Sequence, residues 1–91
     1  MRGPEFSVRF TFDSRRVAHD ALWDEFVRFI EDERDLLFGG GSSPEGWFDG
    51  YISGKDHEPT DADREAVRRW LTKHPIIRSA QVGLLGRVPG E

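Results

Sequence analysis

This 91-residue sequence predicts an α+β domain with the element order strand, helix, strand, strand, helix, strand, and three observations carry that prediction. Residues 6–12 alternate strictly between apolar and polar side chains. Two longer stretches, 13–33 and 60–74, repeat apolar residues at helical spacing. Between them lie two short runs, 36–38 and 47–52, rich in aromatic and aliphatic residues and bounded by glycine, which have the composition of a strand pair.

In the first strand Phe6, Val8, Phe10 and Phe12 share one side and Ser7, Arg9 and Thr11 the other, the period of a half-buried strand. Asp13 or Ser14 is expected to cap a helix that runs to about Glu33, with Ala18, Leu22, Phe26 and Phe29 as its apolar stripe, flanked by Trp23 and Ile30. Leu36-Leu37-Phe38 then closes on Gly39-Gly40-Gly41, and the polar stretch to Gly46 reads as a long hairpin loop leading into Trp47 to Ile52. Thr60 with Asp63 three residues on forms a capping-box pattern at the start of a second helix whose stripe is Val67, Trp70 and Leu71. Pro75 stops that helix, because its ring lacks a donor and disfavours a helical His74. Gln81 to Val88 supplies a last, weaker strand interrupted by Gly83 and Gly86. The order is that of a two-layer βαββαβ ferredoxin-like sandwich, an antiparallel sheet with two helices on one face and the first and third strands central.

The length fits one domain: residues 1–5 form a loose lead-in, 6–88 the single α+β domain and 89–91 a short tail. A net charge of −4, from 13 Lys and Arg against 17 Asp and Glu, argues against phosphate binding driven by bulk charge alone. The absence of cysteine removes disulfides, thiol catalysis and thiolate metal sites, and fits a reducing cytoplasm. No apolar run approaches the roughly 20 residues of a membrane helix, and no leader-like segment opens the chain. A cytoplasmic protein is expected.

Strand alternation assigns the uncovered face of the sheet. If Phe6, Val8, Phe10 and Phe12 pack under the helices, Arg9 and Thr11 point away from them, and burying Phe48 and Ile52 sends Trp47, Asp49 and Tyr51 to the same side. Two aromatic rings and an arginine on the central strands form a candidate binding surface of the kind that stacks bases and meets phosphate, provided that Asp49 is neutralised, for instance by Arg9 across the strands. The competing reading has Trp47 and Tyr51 covered by the C-terminal segment or by a second copy of the chain in a homodimer or regulatory module. Arg68 and Arg69 on the second helix join the candidate surface as a basic flank, with Glu65 as the alternative partner for their charge.

No catalytic residue, metal ligand set or cofactor site emerges. His19, His57 and His74 lack metal-site spacing, and Asp56-His57-Glu58 reads as a solvated turn. Ser42 and Ser43 have no nucleophile-elbow context, and neither Gly39-Gly40-Gly41 nor Gly54-Lys55 leads into a helix with the Lys and hydroxyl of a phosphate loop. The expectation is a non-enzymatic binding protein.

Phe6-Ser7-Val8, the segment from Asp24-Glu25-Phe26-Val27 through Leu36-Leu37-Phe38-Gly39, the strand Phe48-Asp49-Gly50-Tyr51-Ile52 and the helix Ala66-Val67-Arg68-Arg69-Trp70-Leu71 together resemble the YggL-type family, small bacterial proteins named for binding the large ribosomal subunit. The likeness runs from about Phe6 to Leu71. It implies a non-enzymatic bacterial protein that associates with the 50S subunit, through ribosomal RNA or protein.

Overall fold

The structure, a computed structural model, describes residues 4–86. Its elements are β1 (Phe6–Phe12), α1 (His19–Arg28) with a π-helical turn (Phe29–Glu33), β2 (Leu36–Ser43), β3 (Trp47–Gly54), α2 (Asp61–Lys73) and β4 (Ile77–Val82). The strands form one antiparallel sheet in the order β2-β3-β1-β4. This is the expected two-layer α+β arrangement of ferredoxin-like type, with β1 and β3 central.

Apolar alternation decides which face is covered. Phe6, Val8, Phe10 and Phe12 of β1 and Phe48 and Ile52 of β3 are buried with Leu22 and Phe26 of α1 and Val67 and Leu71 of α2. Phe10 stacks on Phe48 at 4.6 Å between ring centroids and meets the edge of Phe26 at 5.1 Å. Both helices therefore lie on one side, and the other side of the sheet carries no layer of this chain among the described residues.

The first helix ends near Glu33 as expected, but its start differs from the sequence expectation for a physical reason. Asp13 does not cap α1: its carboxylate accepts the Arg15 backbone N–H at 3.1 Å and Arg78 Nη2 at 3.2 Å, so it closes a local turn. The helix starts only at His19, and Ala18 stands exposed at its N-cap instead of inside the apolar stripe. At the other end the Arg34 N–H bonds the Phe29 carbonyl five residues back, a widened turn that lets both Phe29 and Ile30 reach the core. Asp35 then takes a left-handed conformation, φ 56°, which a short polar side chain tolerates, and breaks the helix.

Gly39-Gly40-Gly41 is strand, not loop. Gly40 pairs directly with Gly50, and a Cβ on Gly40 would lie 2.3 Å from the Asp49 carbonyl oxygen, so glycine here permits close approach of β2 to β3. The turn shrinks to Pro44-Glu45-Gly46, with Gly46 at φ +135°. The last strand is Ile77–Val82 instead of Gln81 to Val88, because the register slips between Thr11 and Phe12. That bulge places Ile77 opposite Phe12 but Ser79 opposite Thr11, which hides the alternation in the sequence. Val88 lies outside the described residues. Pairing also begins at Glu5, which bridges to Gly86 just before β1.

The second helix starts as expected. The Thr60 N–H donates to Asp63 Oδ2 at 2.9 Å and the Asp63 N–H to Thr60 Oγ1 at 3.2 Å, a complete capping box, and His74 ends the helix in an extended conformation before Pro75. No helix among the described residues is long and apolar enough to cross a membrane.

Candidate binding face

Register converts the open side of the sheet into rows of side chains. Reading across β2, β3, β1 and β4, Trp47 stands between Ser43 and Thr11, with Ser79 beyond. Asp49 stands between Gly41 and Arg9, with Gln81 beyond, and Tyr51 between Gly39 and Ser7. Each ring is thus flanked on both sides by a small residue, and no directly paired side chain is tall enough to cover it. Trp47 remains 44% exposed and Tyr51 39%. The described part of the C-terminal segment leaves both rings open, since Gly83 bonds Ser7 and Gly86 bonds Glu5.

Between the rings the charges cancel. Arg9 Nη2 and Nε donate to the same oxygen of Asp49 at 2.8 and 3.2 Å. The pairing follows from register, the two residues being direct cross-strand partners. Arg9, Thr11, Trp47 and Asp49 line a shallow concavity of about 220 Å3.

The six residues expected to form one surface do not all meet. Arg9, Trp47, Asp49 and Tyr51 do. Arg68 and Arg69 lie on α2, in the layer on the opposite side of the sheet, and both face Glu65: Arg68 as a close ion pair and Arg69 through Nε at 3.6 Å. The Arg68 guanidinium holds the Glu65 carboxyl below its ordinary value and is itself raised by it. The physical reason for the separation is the apolar stripe of Val67 and Leu71, which turns this helix inward and its arginines outward.

A different cationic group lies at the Trp47 end of the sheet, one that sequence spacing did not reveal. Arg15 and Arg78 converge on Asp13 at the end of β1 nearest Trp47, with Arg16 exposed beside them. The Arg15 backbone N–H and then the Arg78 guanidinium hold the Asp13 carboxyl below its usual value, so it remains an anion that organises both arginines. Asp13 and Arg78 are 65 residues apart along the chain, a distance closed only by the pairing of β1 with β4. The available signal was the Arg-Arg pair following the first strand.

Elsewhere the polar side chains are held by structural contacts. His19 Nε2 meets Ser42 Oγ at 2.7 Å and Nδ1 meets Asp20 at 3.1 Å, a serine, histidine and acid contact that the sequence did not bring together. The Asp20 carboxylate is 98% exposed, while the imidazole packs against Phe48 at 5.5 Å, so the contact docks the start of α1 on β2. His57 turns away from its neighbours Asp56 and Glu58 toward Asp63 at 3.3 Å and Asp35 at 3.6 Å. Asp63, buried at the start of α2, also accepts Arg34 Nη2 at 2.7 Å. Burial pushes its carboxyl up, but the Thr60 N–H, Arg34, His57 and the Thr60 hydroxyl together hold it below its ordinary value. Among the described residues, no group of three or more His, Cys, Asp and Glu side chains is placed to hold a metal ion.

Comparison with curated proteins and with solved structures finds no match. A family model does match, over residues 2–87, so nearly the whole chain including the open-face residues of all four strands falls within it. The chain belongs to the YggL 50S ribosome-binding protein family.

Proposed function

We propose that this protein is a non-enzymatic binder of the large (50S) ribosomal subunit, and that it docks through the open face of its sheet. The family description supports the partner. The face is supported by one observation above the others: Trp47 and Tyr51 stand in rows of small residues, each more than a third exposed, on the side of the sheet that no helix covers. A domain that packs its other large aromatics into or against the core has no packing use for two rings there. Exposed aromatics flanked by polar groups are what a docking surface presents. A ribosomal partner supports a cytoplasmic location.

The test is co-sedimentation of the purified chain with ribosomal subunits at low and moderate salt. The expected result is migration with the large subunit, lost in a Trp47→Ala, Tyr51→Ala double variant that melts like the parent. Absence from the large-subunit fractions under both conditions would overturn the partner, and full retention by the double variant would overturn the face.

A further inference from the structure

Charge is segregated in this molecule, and the segregation says what kind of surface the open face fits. The stretch His19–Glu33 of α1 and its π-helical turn carries six carboxylates against the single arginine Arg28, while α2 carries three acids against four basic residues, so the acidity of the helical layer lies on α1. The four strands together carry two arginines, Arg9 and Arg78, and one acid, Asp49. The net charge of −4 therefore belongs to the helical side. On the sheet side Arg9 neutralises Asp49, and at the Trp47 end Arg15, Arg16 and Arg78 outnumber the two acids Asp13 and Glu45. A polyanion approaching from solvent is repelled by one layer and accepted by the other.

The spacing of the rings refines this. Trp47 and Tyr51 are four residues apart on one strand, so their attachment points are about 13 Å apart at roughly 3.3 Å per residue. That matches bases two nucleotides apart on an extended single strand and not adjacent bases of a stacked helix. A duplex buries its base faces, so only unpaired nucleotides offer π-faces to these rings. Between them the Arg9 and Asp49 pair presents donors and an acceptor together, the complement of a base edge.

We infer that the open face takes unpaired RNA nucleotides, with bases on Trp47 and Tyr51 and backbone phosphate at the arginine group gathered by Asp13. The inference rests on the reading of this face as the docking surface. Phosphate contacts from Arg15 and Arg78 position the strand, and the two rings hold the bases.

The test uses fluorescence anisotropy of the full chain with a labelled eight-nucleotide single-stranded RNA and with a blunt RNA duplex of the same length. The single strand is expected to bind more tightly than the duplex. Trp47→Ala should weaken it about 5- to 150-fold, with Trp47→Phe restoring part of the loss. Arg15→Gln and Arg78→Gln should each lower the salt slope by about 0.7, while Arg68→Gln with Arg69→Gln on the opposite layer should leave it unchanged. Equal affinity for the duplex, indifference to Trp47→Ala, or an equal effect of the Arg68 and Arg69 changes would overturn the inference. If no variant of the folded protein binds the oligonucleotide yet the parent still sediments with the large subunit, the RNA inference is wrong and the ribosome reading stands on a protein contact. If the oligonucleotide binds as described but the large subunit does not, the inference holds and the ribosome reading fails.

Discussion

Arg9 and Asp49 face each other across the two central strands, and two guanidinium nitrogens share one carboxylate oxygen. Their side chains are 64% and 44% exposed, so the pair adds little to stability, less than about 1 kcal/mol. Its effect is on charge: it keeps the middle of the open face neutral. Asp49→Asn should release Arg9, leaving the urea midpoint nearly unchanged, while retention on the large subunit should persist to higher salt than for the parent. Sedimentation across a salt series measures this.

Trp47 and Phe48 are chain neighbours with opposite surroundings. Phe48 is fully buried between Phe10, Phe12 and Trp23, and Phe48→Ala should cost about 3–5 kcal/mol. Much of the total stability expected of a domain this size, roughly 5–15 kcal/mol, would be lost. Trp47→Ala should change stability far less while weakening the docking interaction. Urea denaturation of the two variants beside a sedimentation assay separates these roles.

The glycines paired across β2 and β3 should divide into two classes. A Cβ at Gly40 would lie 2.3 Å from a backbone oxygen of β3, and at Gly50 equally near one of β2, so either change to alanine must push the two strands apart. A loss of about 2 kcal/mol or more is expected. At Gly39 and Gly41 a Cβ meets nothing within 4 Å, and alanine should be neutral or stabilising by about 0.5 kcal/mol through a less flexible unfolded chain. Thermal melts of the four single variants provide the comparison.

Asp63 links stability to pH. Its folded-state carboxyl lies below the ordinary value of 3.8, so its anion favours the folded state. That contribution is present in full at neutral pH and is lost as pH falls through the folded-state value. Asp63→Asn should therefore cost about 1–2 kcal/mol at neutral pH, by weakening the cap and the bond to Arg34, and progressively less as the pH falls below the ordinary carboxyl value. Denaturation of both proteins across an acid pH series tests the convergence.

The sequence was most legible where one physical signal acted alone. Alternation in Phe6–Phe12 and the Thr60 and Asp63 capping box placed β1 and the start of α2 to the residue. Alternation also put Arg9, Trp47, Asp49 and Tyr51 on one face. It misled where tertiary contact overrode local preference. Asp13 looks like a helix cap until Arg78 arrives from β4, and three consecutive glycines look like a turn until Gly40 meets Gly50. The Arg15 and Arg78 group was invisible for the same reason: it exists only through strand pairing, and the pairing strand was itself concealed by its bulge.

The edge strand β2 has a further consequence. Leu36–Ser43 contains no charged residue and no proline, the usual guards against an outside chain adding itself to a sheet. What stands in their place is the glycine run, whose backbone entropy and missing side chains make it a weak template for a new neighbour. Engineering that strand with valine or threonine at Gly39 and Gly41 would raise its strand propensity and also remove this guard, so a more heat-resistant variant would be expected to be the more aggregation-prone one during purification.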